Sequence, residues 1–255
     1  MKIKEVIEFL DEKFPLDLQE DWDNSGLQIG NVENELKNIM ISLDLTDEAI
    51  DSAIESSCNL IINHHPLIFS PIKSIDLSSD YNKKIEKLIK NDISVFAMHT
   101  NLDTAKGGVN DNFAKVLELD KVEFLDTENE HPMARLGFTK EQSSQEFAEF
   151  VKEKLACKGL IVYGDKEKII KKVALCGGAG SDFIGDAIRK NCDAIVTSDV
   201  KYHEAIDNCE DIVIIDPGHF ASENHIIYML ENLLKDKFLI EIYTNSPDDS
   251  HRFFK

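Results

Sequence analysis

The chain has 255 residues, 42% of them hydrophobic and 30% charged, the balance of a globular protein with room for one large domain or two modest ones. Its 28 Lys and Arg stand against 48 Asp and Glu, and the formal charge of −20 argues against nucleic acid as a main partner, because duplex binding draws on cationic contacts to phosphate. No apolar run approaches the ~20 residues of a membrane helix, and the five scattered cysteines, without a C-x-x-C pair, read as reduced thiols of a cytoplasmic protein.

In chain order, MKIKEVIEFLDEKF carries acids inside an amphipathic pattern and predicts a first helix, not a secretory signal. DWDNSGLQIG reads as a turn-rich loop that needs no functional explanation. KNIMISLDL, NLIINHH and DISVFAMHT then read as strands, separated by the helical patterns DEAIDSAIESS and YNKKIEKLIKND. That is a βαβαβ unit, which implies parallel strands joined by right-handed crossovers. A polar stretch, LDTENEHPMARLGFT, precedes a helical SSQEFAEFVKEKLA and a short GLIVYGD. The βαβαβ order returns in KKVALCGGAG, SDFIGDAIRKN, CDAIVTSDV, YHEAIDN and DIVIIDPGH. PGHFASENHIIYMLENLLKDK reads as a long helix and FLIEIYT as a closing edge strand.

The two βαβαβ stretches overlay without a gap. A shift of 134 positions lays Ile39–Pro66 on Val173–Val200, so that Ile50, Ala53, Ile54, Cys58 and Ile61 meet Ile184, Ala187, Ile188, Cys192 and Ile195. The matches fall on apolar positions that any amphipathic βαβ would share, so they predict two similar α/β lobes more firmly than a common ancestor. The expected organisation is an α/β fold with mostly parallel sheets. Residues 1–125 form lobe one, completed by 217–255, and residues 126–216 form lobe two, with the boundary near 120 to 132.

Five of the eight histidines lie at predicted strand ends or just after them: His64, His65, His99, His203 and His219. Open α/β sheets bind ligands at the carboxyl ends of their strands. An isolated His-His pair is explained as well by one hydrogen-bonded core imidazole beside an exposed one; it is the clustering that points to a metal site. Pro66 stops the sheet ladder after His64 and His65, and successive strand-end residues point apart, so the two more easily serve two metals than one. Glu223 follows His219 by four residues at a helix start, a shared face and a good ligand pair for Zn, Mn or Fe, although an acid at that position also suits the helix dipole. Asp103 is a candidate bridging carboxylate, and two cations ~3.5–4 Å apart would lower the pKa of a shared water. CGGAGSD is a candidate phosphate cradle, but it lacks G-x-G-x-x-G spacing, and a tight strand-to-helix turn explains its glycines equally well.

WDNSGLQIG, NHHPLIF, MHTNLDTAKGGVND, CGGAGSDFIGDA, TSDVKYH and DPGHFASE follow one another in this order. Through them the chain resembles, over essentially its whole length, the dinuclear-metal-centre family of GTP cyclohydrolase 1 type 2 homologues. The resemblance implies that His64, His65, Asp103, His219 and Glu223 ligate two divalent metal ions, Zn, Mn or Fe, with His99 and His203 nearby as groups behind the ligands or facing substrate. It also implies that the two lobes are interlinked with the metals in the cleft between them, and that the chain assembles as a ring-shaped homohexamer. The implied reaction is hydrolytic opening of the GTP imidazole ring with release of formate, a small anionic nucleotide being acceptable only if bound cations offset the acidic field. A non-enzymatic metal-binding, metal-delivery or regulatory interaction protein is the alternative, and a two-metal phosphoesterase a further one.

Overall fold

The structure, a computed structural model, describes residues 1–126, 129 and 131–245. Helix α1 (Ile3–Lys13) forms where the N-terminal pattern predicts it, because Ile3, Val6 and Leu10 recur at helical spacing and are all buried. Strand β1 (Gly26–Ile29) follows, then β2 (Ile39–Ser42), α2 (Asp47–Glu55), β3 (Leu60–Asn63), α3 (Asp80–Lys90), β4 (Ser94–Ala97) and the short α4 (Thr100–Thr104). Thr46 caps α2, its side chain accepting from the Ala49 amide at 3.1 Å. Every residue of β2, β3 and β4 is buried, as expected of parallel strands covered on both faces. DWDNSGLQIG is therefore only partly a loop. Its second half is β1, antiparallel to β4, and Gly30 at its end has φ +110°, where an added Cβ would meet the Ser94 Cα at 2.6 Å.

The second series comprises α5 (Val109–Val116), β5 (Asp120–Phe124), β6 (Arg135–Ser143), α6 (Ser144–Lys154), β7 (Ile161–Tyr163), β8 (Ile169–Leu175), α7 (Ile184–Arg189), β9 (Ala194–Val196), α8 (Tyr202–Asn208), β10 (Val213–Asp216) and α9 (His219–Glu223). Of the stretch read as polar connection, residues 127, 128 and 130 lie outside the described residues, and its end is the start of β6. Ser143 and Glu146 form a capping box at α6, whose Phe147 and Val151 are fully buried, each burial contributing about 1.5–3 kcal/mol. The predicted long helix divides into α9 and α10 (His225–Lys237), and β11 (Ile242–Asn245) closes the described chain.

Two sheets result, ordered β1-β4-β3-β2-β11 and β5-β6-β8-β9-β10-β7. The first has four parallel strands and the antiparallel edge β1; the second is built on parallel β8, β9 and β10 with antiparallel flanks. Alternate residues of the second sheet enter opposite cores: Val173 and Leu175 pack with Phe113 and Phe147, whereas Ala174 and Cys176 pack with Ile184 and Ala187. The 134-residue shift carries the strand register with it. Ile39 pairs with Leu60, and Val173 pairs with Ala194. Even the left-handed residue after each helix recurs, Ser57 and Asn191 both having φ 53°.

The chain divides into two compact units, Met1–Ala105 with the return from Ile227, and Lys106–Ile226. The division thus precedes the boundary expected near residues 120 to 132, because Phe113 and Ala114 of α5, with Leu117 just after it, pack in the core of the second unit. Likewise α9 belongs to the second unit, and only the chain beyond it completes the first. Among the described residues no helix is long and apolar enough to cross a membrane.

Cys58 and Cys192, one shift apart, are both buried. Burial pushes the Cys58 thiol up to about 12 and the Cys192 thiol up to about 11, from an ordinary value of 9.0. Between pH 9 and these values the folded thiols keep protons that unfolded ones lose, so their contribution is fully present below about pH 9 and declines as pH rises. Iodoacetamide at pH 8 is expected to modify Cys157 and Cys209, which are partly exposed, and to spare Cys58 and Cys192 until denaturant is added. Rapid native labelling of Cys58 or Cys192, read by peptide mass, would contradict the burial.

Candidate metal centre

Each unit carries candidate ligands, and each set is oriented by its own surroundings. In the first unit β3 delivers His64 and His65. Their amides extend the ladder one step, both donating to the Leu43 carbonyl at 3.1 and 3.0 Å, before Pro66 ends it. His64 is 1% exposed and its Nδ1 lies 2.7 Å from the Met98 carbonyl oxygen. A carbonyl only accepts, so Nδ1 carries the proton and Nε2 keeps its lone pair. Nε2 lies 3.6 Å from Asp103 Oδ1, four residues along from His99 on α4. His65 Nδ1 is 2.8 Å from Asp44 Oδ1, and His99 Nδ1 is 2.8 Å from Asp23 Oδ1. Each imidazole is thus held through Nδ1 by an oxygen. His64, His65 and His99 each offer one nitrogen within 4.8 Å of the other two, a group that can hold a metal ion.

Asp23 was not a candidate in the sequence. Its side chain is fully enclosed and also accepts from the Thr100 amide at 3.1 Å, the Thr100 hydroxyl at 2.6 Å and the Ser25 hydroxyl at 2.9 Å. Burial alone would raise this carboxyl; the hydrogen bonds from His99 and Thr100 and the charge of His99 outweigh it and hold Asp23 well below the usual carboxylate range. No spacing rule reaches from Asp23 to His99, and the nearest signal was the crowding of Asp, Asn and Ser in the loop itself.

In the second unit β10 ends at Asp216, whose side chain accepts from the Gly218 amide at 2.8 Å, and α9 begins. His219 Nδ1 lies 2.7 Å from Asp199 Oδ2, and its Nε2 lies 3.0 Å from Glu223 Oε2, one helical turn on. Glu223 is 3% exposed. Asp199 occupies the place that His65 holds in the first unit once the 134-residue shift is applied, so an equivalent strand end supplies a ligand candidate in one unit and the hydrogen-bond partner of a ligand candidate in the other.

The three glycine amides of CGGAGSD are already engaged within the fold and are not available to a phosphate. Gly177 N donates to Asn110 at 2.7 Å, Gly178 N to Ser222 Oγ at 2.9 Å and Gly180 N to Thr197 Oγ1 at 2.9 Å, all buried. The loop instead makes room for α9. Gly178 has φ +63°, and a Cβ on it would lie 2.3 Å from Glu223 Oε1 and 3.2 Å from the His219 ring. Ser222 ties the two together, donating to the His219 carbonyl at 2.8 Å. His225, which opens α10, is half-buried and engaged elsewhere: Nε2 bonds the Ser222 carbonyl at 2.8 Å and the ring stacks on Phe113 at 5.4 Å. His203 stands exposed on α8 with its ring 5.3 Å from that of Tyr202.

The donors are imidazole nitrogen and carboxylate oxygen without thiolate, a set that suits Zn, Mn or Fe. A sequence profile of Duf34/NIF3 (NGG1p interacting factor 3) matches residues 1–248. A Clostridium perfringens protein named GTP cyclohydrolase 1 type 2 homolog is 36% identical over 242 residues, covering 93% of this chain and 92% of its own. A Campylobacter jejuni protein of the same name is 34% identical and covers 99% and 100%. The crystal structure of a Staphylococcus aureus hypothetical protein superimposes with a TM-score of 0.91 at 27% identity, over 100% of this chain and 99% of that one.

Proposed function

Because the chain belongs to the Duf34/NIF3 (NGG1p interacting factor 3) family, we propose that it is a metal-dependent hydrolase that opens the imidazole ring of GTP, or of a related purine nucleotide, with release of formate. The observation that supports this reading is the fixed tautomer. Nδ1 of His64, His65 and His219 each meets an oxygen at 2.7–2.8 Å, which turns Nε2 of His64 toward Asp103 Oδ1 at 3.6 Å and Nε2 of His219 toward Glu223 Oε2 at 3.0 Å, nitrogen beside carboxylate as a cation would need them. A core histidine needs no such uniformity. In this reading His64, His65 and Asp103 from the first unit, with His219 and Glu223 from the second, hold two divalent ions.

Bound there, divalent cations supply Lewis acidity and lower the pKa of water. The chain's own residues do the rest. Met98, Asp44 and Asp199 hold the imidazoles in one tautomer, so no reorientation is needed when a cation arrives. Glu223 and Asp103, both buried, set where positive charge is neutralised. His99, backed by Asp23, is placed to hold or move a proton, and the exposed His203 is the second candidate for that work.

The test is incubation of the Zn- or Mn-loaded protein with GTP, following formate and phosphate separately. Formate supports ring opening and phosphate alone supports the phosphoesterase. Neither product, with both cations bound, favours a metal-binding, delivery or regulatory protein. The family reading also carries a homohexamer. Light scattering at micromolar concentration is expected to give six chains' mass; a monomer would overturn the assembly and leave the metal chemistry standing.

A further inference from the structure

Two large aromatic side chains stand in solvent beside the first unit's imidazoles. Trp22 is 58% exposed and Phe69 49% exposed, and their ring centroids are 5.9 Å apart. Both present themselves to His99, Trp22 at 6.1 Å and Phe69 at 6.4 Å, each edge-to-face. His99 in turn lies 5.3 Å from His64 and 5.6 Å from His65, ring to ring. Single exposed aromatics are ordinary on protein surfaces. A pair abutting a cluster of oriented imidazoles is a different matter, since indole and phenyl faces left in water cost hydrophobic free energy that a flat ligand recovers.

The two loops are also fixed to one another. Asn24 Nδ2 donates to the Ile68 carbonyl at 2.5 Å, and the Ile68 amide donates to Gln28 Oε1 at 3.0 Å, so the segments carrying Trp22 and Phe69 are braced before any ligand arrives. Phe69 further lines a cleft of about 440 Å³ that runs past Ser70, Lys73 and Tyr81, within the range that holds a small organic ligand. The loop around Trp22 is acidic, with Glu20, Asp21 and Asp23, so a phosphate placed there would meet like charge, whereas an uncharged ring with N–H donors would not.

We propose that Trp22 and Phe69 form the surface on which the planar heteroaromatic ring of the substrate stacks, beside His99. The choice of a purine for that ring rests on the hydrolase reading; the stacking surface itself rests on the aromatic geometry.

Trp22 is the chain's one tryptophan, so its fluorescence reports this surface alone. The purified full-length protein is titrated with GTP, guanosine and ribose 5-phosphate, with correction for nucleotide absorbance. Guanosine and GTP are expected to quench Trp22 saturably while ribose 5-phosphate does not, and Phe69→Ala should weaken the guanosine response at least about 10-fold. Absence of quenching by guanosine and GTP at millimolar concentration overturns the proposal, as does equal quenching by ribose 5-phosphate. Emission already shielded from acrylamide in the free protein overturns it too, because the pair would then be covered by another copy. Quenching without any formate or phosphate release sinks the hydrolase reading and keeps the surface. Turnover of GTP with KM unchanged in Phe69→Ala does the reverse.

Discussion

Glu223→Gln and Asp103→Asn are each expected to bring GTP hydrolysis to background, a larger loss than His99→Ala or His203→Ala produces. Both carboxylates are buried, Glu223 against His219 Nε2 at 3.0 Å and Asp103 against His64 Nε2 at 3.6 Å. In the proposed reading they neutralise cations in a water-poor setting, and replacing a carboxylate by an isosteric amide removes that charge while leaving the shape. His99 and His203 orient substrate or move protons, a role worth ~10²–10⁴-fold. Rates are to be compared at saturating Zn or Mn, with cation content measured on the same samples. A Glu223→Gln protein that retains two cations per chain and turns over within tenfold of the parent would remove Glu223 from the machinery. If His99→Ala is the more damaging change, proton transfer and not charge neutralisation is the larger contribution.

The second large effect is expected at a residue with no side chain. Gly178→Ala places a Cβ 2.3 Å from Glu223 Oε1 and 3.2 Å from the His219 ring, at a backbone φ of +63°. The left-handed backbone alone costs an L-residue about 1–2 kcal/mol. Gly107 separates this cost from the contact. It too has positive φ, +77°, but nothing lies within 4 Å of its would-be Cβ. Gly107→Ala is therefore expected to lose about 1–2 kcal/mol in urea unfolding and to bind cations as the parent does. Gly178→Ala is expected to lose more stability and, in addition, most of the cation binding that depends on His219 and Glu223. Elemental analysis after supplementation reads the difference. Equal cation content in the two variants would mean that α9 yields to the methyl group, and that CGGAGSD has no hold on the ligands.

How much of this could be read before folding differs by element. The helices α1, α2, α3 and α6 and the wholly buried runs of β2, β3 and β4 declare themselves by their apolar pattern, because the direction of Cβ on a helix or strand is a local property of the backbone. So does the repeat, whose 134-residue shift survives as identical pairing of Ile39 with Leu60 and Val173 with Ala194. The candidate ligands were legible for a related reason: a proline, a glycine or a helix start after an apolar run marks the end of a strand, and side chains at strand ends face the ligand side of an α/β sheet. What orients those ligands was not legible. Asp23 meets His99, Met98 meets His64 and Asp199 meets His219 across long stretches of chain, each time from a loop. A loop residue's neighbours are set by the packing of the elements on either side of it, so no periodicity encodes them. The same cause hid β1, whose close approach to Ser94 needs Gly30, and the place of α5, an amphipathic helix that could cover either sheet until Phe113 and Ala114 are seen in the second core. Sequence by itself determined the strands and helices of the two repeated series, β2 to β4 and β8 to β10, and which side chains end them; tertiary packing alone decided which oxygen holds each imidazole, because that choice is made between residues that only the folded chain brings within hydrogen-bond reach.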